Sequence, residues 1–223
     1  MLMSAVELLR THSLPMVLEQ EILAVLLGGE LAPGDHLNEK DLASRFGISR
    51  GPVREALRSM ESSGLIEQVP NRGFFVRQLT TQQAYDLYDV RAVLFGLAGK
   101  LLARRITEKE ATRLATFIAD MDAATAANDF DSYVPLNFAF HEFIVQNAGN
   151  TALAQQYLGL VKQLRLYRTR SLHHVASMHA SQVEHHKMVD ALIRRDPEEA
   201  QRTHHRHVEA AKERLIAIAA DLK

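Results

Sequence analysis

Hydrophobic positions fall into two regimes along the chain. Up to about residue 77 the apolar runs are short and punctuated by turn residues; beyond it they recur at helical spacing with almost no strand signal. Met1 to Ser13 carry no such pattern and read as a partly disordered arm. Val17, Leu18, Ile22, Val25 and Leu26 predict a helix over Leu14–Leu27, closed by Gly28-Gly29. Leu31 to Asp35, with Pro33-Gly34 inside it, is a turn. A short helix follows from an Asn38 cap to about Phe46, with Leu42 and Phe46 on one face, and Gly47 supplies a tight turn. Ser49 caps the next helix. Pro52 sits in its first turn, where a missing N–H costs nothing, and Val53, Ala56, Leu57 and Met60 share its apolar side. Gly64 stops it. Leu65–Val69 and Phe74–Arg77 are short strands around Pro70-Asn71-Arg72-Gly73.

The second regime begins at Leu79-Thr80-Thr81. Helices are expected over about 81–105, 108–127, 133–148, 151–173, 177–194 and 197–220, the last capped by Asp196 with Pro197 at its first position. In the first of these, Ala84, Leu87, Val90, Leu94, Leu97 and Leu101 predict the buried face. Long helices with short links form an antiparallel bundle. The fold class is mainly α: an N-terminal winged helix-turn-helix over 1–78, then an antiparallel bundle of six or more helices over 79–223.

A winged helix-turn-helix places one helix in the DNA major groove. The formal net charge of −1 does not advertise that, but local charge does. From Lys40 to Arg77 there are seven basic residues against four acidic ones, an excess of three positive charges. Arg50, Gly51, Arg54 and Arg58 lie opposite the apolar side of their helix. Arg50 or Arg54 can form bidentate bonds to guanine, Gly51 lets the backbone approach a phosphate, Lys40 can hold another, and Arg72 at the wing tip reaches a neighbouring groove. One such arginine is an ordinary solvated side chain. The set, with cap, turn, wing and segregated apolar face, is a reading head. One short recognition helix gives little specificity, so two-fold pairing on an inverted repeat is expected.

The remaining composition narrows the chemistry. There are 223 residues, 47% hydrophobic and 24% charged, and no cysteine, which rules out disulfides and thiolate metal sites. No signal peptide and no apolar run near the roughly 20 residues of a spanning helix are visible, so a cytoplasmic location is expected. Nine of the eleven histidines lie between His141 and His207. Periodicity turns His141, His185, and His204 or His207 inward on three helices, and Asn137 one turn before His141 faces the same way. Each alone is an ordinary core histidine; imidazoles converging without partners are costly unless a divalent metal joins them.

These residues carry a resemblance to the GntR family of bacterial transcription regulators. It rests on Leu37-Asn38-Glu39-Lys40-Asp41-Leu42-Ala43, Phe46 to Leu57, Gly64-Leu65-Ile66 and Arg72-Gly73-Phe74-Phe75-Val76. The resemblance implies DNA contacts by Lys40, Ser49, Arg50, Gly51, Arg54, Asn71, Arg72 and Gly73. Gly51 departs from the Thr often found there. The region from about Ala84 to Ala219 resembles the FadR-type, FCD domain of the same family, all-helical with a buried metal. That likeness implies Asn137, His141, His185 and His207 as ligands, with Asn137 standing where Asp is usual. Zinc suits imidazoles without thiolate; nickel, manganese and iron are also compatible. Four neutral ligands leave the charge of a divalent ion uncompensated, so a carboxylate effector on the open positions is expected, with Arg91, Tyr133 and Arg165 as candidate contacts. The alternative is a metal-dependent hydrolase with an accessory DNA-binding domain. Against it, H-E-x-x-H is absent and Glu142 points away from His141 by helical geometry, so no enzyme activity is expected.

Overall fold

The computed structural model describes residues 13–27, 30–172 and 175–221, of which 27, 165–172 and 218–221 by backbone alone. The arm through His12, the expected Gly28-Gly29 cap and the segment at His173 lie outside the described residues. Contacts divide the chain between Leu79 and Thr80.

The first unit is built on helix α1, Leu14–Leu27, whose five predicted apolar positions are all buried. It packs on α3, Arg50–Ser62, through that helix's inward Val53, Ala56, Leu57 and Met60. Between them in the chain comes α2, Glu39–Phe46, which packs on α3. The Asn38 side chain accepts from the backbone N–H groups of Lys40 and Asp41, and Gly47 at φ 66° ends the helix in the left-handed region. The turn to α3 differs from expectation in one respect. Ser49 has an extended cap backbone, φ −77° and ψ 162°, yet its side chain makes no capping hydrogen bond.

Two strands were expected, and among the described residues three form. β2 (Ile66–Val69) and β3 (Gly73–Val76) pair antiparallel around a turn in which Asn71 and Gly73 have φ of 62° and 96°. β1 (His36–Leu37) adds to the other edge of β3, opposite Phe75 and Phe74. Two residues are too short to show a period, so periodicity could not reveal β1.

In the second unit, α4 (Thr81–Ala103) and α5 (Glu108–Ala126) open with reciprocal capping boxes, Thr80 with Gln83 and Thr107 with Glu110. Then come α6 (Phe130–Asn147), α7 (Thr151–Leu172), α8 (Val175–Ile193) and α9 (Pro197–Asp221). The α6 start expected near Tyr133 moves back to Phe130, because Asp129 accepts from the Ser132 N–H as an N-cap and Pro135 is accommodated inside the helix.

The larger correction concerns α4. Of the predicted positions Ala84 is buried, but the buried face continues through Tyr88, Arg91, Phe95, Gly99 and Leu102 and not along the leucine stripe. Leu87, Leu94, Leu97 and Leu101 are half-buried and Val90 is 52% exposed. The reason is the neighbour. α9 lies directly along α4, and a Cβ added at Gly99 would come within 2.6 Å of the His204 ring and 2.9 Å of the Ala200 carbonyl. Small and aromatic residues make that close approach, leaving the leucines to one side.

Candidate metal centre and nucleic-acid interface

The centre of the second unit gathers imidazoles from three helices. His141 of α6, His185 of α8 and His207 of α9 are buried, and each offers a ring nitrogen within 4.8 Å of the others. The Nε2 atoms of His141 and His185 are 3.4 Å apart. Phe95 of α4 stacks on His141 at 4.7 Å between ring centroids and closes one side.

The other nitrogen of each ring has its own partner. His207 Nδ1 donates to Glu184 Oε2 at 2.7 Å, since a carboxylate only accepts. Gln182 Nε2 donates to Asp122 Oδ1 at 2.7 Å and to the Ile118 carbonyl at 3.3 Å, which turns its Oε1 to His185 Nδ1 at 3.1 Å. His141 Nδ1 lies 3.4 Å from the Tyr157 hydroxyl, which accepts from Arg91 Nε at 3.3 Å. Burial pushes the His207 imidazole down to about 4 against the pull of Glu184, so it is neutral at pH 7. Burial also acts on Glu184, raising its carboxyl, but hydrogen bonds from His207 and Arg214 outweigh it and leave the group ionised, at about 2.

These residues fit a divalent ion. Two nitrogens each about 2.0–2.1 Å from one tetrahedral ion lie roughly 3.3–3.4 Å apart. The pattern of one ring nitrogen inward and the other hydrogen-bonded outward is the one that metal-ligating histidines show. Asn137, one turn before His141 on α6, is buried, and its Oδ1 has no hydrogen-bond partner. An unsatisfied buried carbonyl costs about 1–3 kcal/mol, which a ligated cation removes. His204, the other candidate on α9, is not part of this cluster. Its Nδ1 donates to the Ala200 carbonyl at 2.7 Å, and burial pushes it down to about 3.

Of the expected effector contacts, Arg91 is only 1% exposed, its Nη1 has no hydrogen-bond partner, and among the described residues no carboxylate pairs with it. An ordinary ion pair therefore does not explain its burial. Tyr133, one turn before Asn137, is fully buried, and burial pushes its hydroxyl up to about 12, so it remains a donor. The Arg165 side chain lies outside the described residues. Sequence reasoning passed over Gln182 and Arg214, and read Tyr157 only as core. Helical spacing, three before His185 and seven after His207, is the signal that could have found the first two.

In the first unit, Lys40, Ser49, Arg50, Gly51, Arg54, Asn71 and Arg72 are exposed, and Gly73 is half-buried. Arg54 is held by Glu39, Nε to Oε1 at 3.0 Å and Nη2 to Oε2 at 2.6 Å. Arg72 lies over the Phe75 ring of β3 at 5.3 Å, and His36 of β1 packs 5.0 Å from the same ring. A Cβ at Gly73 would come within 2.9 Å of His36 Nε2, which gives that glycine a packing reason as well as a conformational one.

Comparison with known proteins places both units. Residues 17–76 match the profile of bacterial regulatory proteins, gntR family, and residues 86–210 match the FCD domain. The chain is 30% identical over 152 residues to the Nta operon transcriptional regulator of Aminobacter aminovorans, covering 66% of this chain and 72% of that one. It is 29% identical over 183 residues to the HTH-type transcriptional regulator YdhC of Bacillus subtilis (strain 168), 81% of each. It is 26% identical to the transcriptional repressor RspR of Escherichia coli (strain K12), over 91% of this chain and 87% of that one. Among solved structures, E. coli McbR/YncC superposes with a TM-score of 0.78 at 22% identity, covering 95% of this chain and 99% of that one. A GntR regulator from Rhodococcus sp. RHA1 gives 0.75 at 20%, covering 92% and 99%. At these identities the structures show the fold alone.

Proposed function

From a chain that belongs to the GntR family of bacterial regulatory proteins and carries an FCD domain, we infer a transcription regulator whose DNA affinity is set by a carboxylate effector bound at a metal centre. Transcription regulation is the function that its relatives' names share, and no described helix is long and apolar enough to cross a membrane. The finer reading is ours. Residues 1–78 form the DNA-binding domain and 79–223 the effector-binding and dimerisation domain, in a cytoplasmic protein. α3 enters the major groove, with Arg50 and Arg54 toward base edges. Lys40, Ser49, Gly51 and the wing residues Asn71, Arg72 and Gly73 lie toward the backbone and the adjacent groove.

The protein acts as a homodimer on an inverted repeat. Support comes from the side of α4 left over by α9, where Val90 and Val93 are 52% and 61% exposed beside four half-buried leucines. Such a stripe is an association surface.

A divalent ion, zinc by ligand type, is held by Asn137, His141, His185 and His207. The ion supplies an electrophilic point for an anionic ligand. The observation that carries the effector reading is Arg91. A buried guanidinium without a carboxylate is costly, and an isolated buried charge of this kind destabilises by roughly 3–5 kcal/mol. Arg91 touches Tyr157, which touches His141, so an anion at the metal would also meet that guanidinium. Tyr133 donates from the Asn137 side. Calorimetry with small di- and tricarboxylates, before and after chelation, tests the reading. Binding that needs the metal supports it; equal binding by stripped protein contradicts it.

A further inference from the structure

The proposed ligand set contains no anion, because Asn137 offers a neutral amide and the three imidazoles are neutral. We propose that Glu184, acting through His207, supplies the negative charge that the site lacks at Asn137. This rests on the metal reading above and assigns a positioning residue to it.

Glu184 sits on α8 beside His185, but its carboxylate reaches across to α9. Oε2 accepts from His207 Nδ1 at 2.7 Å and from Arg214 Nη2 at 3.0 Å, while Oε1 accepts from Arg214 Nη1 at 2.7 Å. The bidentate Arg214 fixes the plane of the carboxylate, and the carboxylate fixes the tautomer of His207, leaving its Nε2 lone pair free. Glu184 is not an ordinary surface acid, since its side chain is 23% exposed and His207 is 3% exposed.

The three outer partners are not equivalent. Tyr157 is a hydroxyl and Gln182 an amide; Glu184 is the charged one. Asp122 lies one hydrogen bond further out, behind Gln182. A short charge-assisted bond draws the Nδ1 proton toward the carboxylate and raises electron density on Nε2, which makes His207 a stronger nitrogen donor. The negative charge that the four neutral ligands lack is thus present directly behind His207.

The test is the zinc affinity of the full-length protein, measured by competition with a chromophoric chelator. Wild type is compared with Glu184→Gln, Glu184→Gln/Arg214→Met and Asn137→Asp/Glu184→Gln. Gln keeps an acceptor for His207, so the first variant removes charge and not the hydrogen bond. It should weaken zinc binding about 10–100-fold, the range for lost outer-shell partners. Removing Arg214 as well should leave that loss in place, and Asn137→Asp should recover most of it. Circular dichroism of the metal-free variants confirms that each is folded. Wild-type affinity in Glu184→Gln overturns the proposal. So does wild-type affinity in the double variant with Arg214→Met, which would trace the loss to an unpaired arginine. Failure of Asn137→Asp to restore binding overturns it too. Wild-type protein that binds no divalent ion defeats the metal reading itself, which that arm alone reports.

Discussion

Glu39 of α2 and Arg54 of α3 form a two-pronged pair, Nε to Oε1 at 3.0 Å and Nη2 to Oε2 at 2.6 Å. The hydrogen bond from Arg54 holds the Glu39 carboxyl below its ordinary value, so the pair is intact at neutral pH. Arg54 is 53% exposed, and pairs this open contribute about 0–1 kcal/mol to stability. The pair's consequence is orientation: it locks an arginine that would otherwise sample many rotamers.

Glu39→Gln should therefore relax sequence discrimination without weakening non-specific binding. The expected loss is about 1–3 kcal/mol between the preferred duplex and a scrambled one, the range for one bidentate base contact. Fluorescence anisotropy on a duplex selected from random sequence, at several salt concentrations, measures both terms. Undiminished discrimination would show that Arg54 reads no base.

Gly99 sets the spacing of α4 and α9. An added Cβ meets the Ala200 carbonyl at 2.9 Å, and backbone cannot move aside as a side-chain tip can. Gly99→Ala should destabilise the second unit by about 1–3 kcal/mol, despite alanine's better helix propensity. Gly159→Ala on α7, where nothing lies within 4 Å, should stabilise by up to about 1 kcal/mol. Urea unfolding of the two variants should move in opposite directions.

The exposed α4 stripe predicts assembly. Val90→Glu with Val93→Glu should convert a dimer to monomers in sedimentation equilibrium while leaving the helical signal intact. It should also cost operator affinity far more than binding to a single half-site. A dimer that survives both changes would place the interface elsewhere.

His204 predicts an acid response. Burial keeps its folded-state value at about 3, whereas an unfolded imidazole takes up a proton near pH 6.5. Between those values the unfolded chain binds the extra proton, so stability falls as pH drops from about 6.5 toward 3. In metal-free protein, His204→Asn should flatten the stability–pH slope over that window by about 1.4 kcal/mol per pH unit, the value for one proton. An unchanged slope would mean that His204 is protonated in the folded state.

Much of this was readable from sequence, and the misses share a cause. Val17 to Leu26 on α1 and Val53 to Met60 on α3 follow the helical period because each helix turns a single apolar face into the interior of its unit. Asn38, Gly47 and Asn71-Arg72-Gly73 act locally, so their residue types suffice. α4 did not follow its leucines. Helix period says how many apolar faces exist, not which one a partner covers, and the partner here needs Gly96, Gly99 and Phe95 to come close. His204 and His207 were indistinguishable for the same reason: both face inward, and only the neighbours separate them. The link from Glu184 to His207 joins two helices, and no single-helix pattern contains it. Arg91 lay on the face that periodicity passed over, and its missing carboxylate is a property of packing.

On the function proposed above, metal and Arg91 together make the DNA affinity answer to a carboxylate. The anisotropy of a selected operator duplex, titrated with di- and tricarboxylates, tests this dependence. The protein would be zinc-loaded, chelator-stripped, or zinc-loaded Arg91→Gln. At least one carboxylate should shift the operator affinity of the zinc-loaded protein about tenfold or more, a coupling of about 1.4 kcal/mol. The shift should vanish on stripping and be largely lost in Arg91→Gln. An equal shift in all three preparations, or none with any carboxylate, would contradict the account.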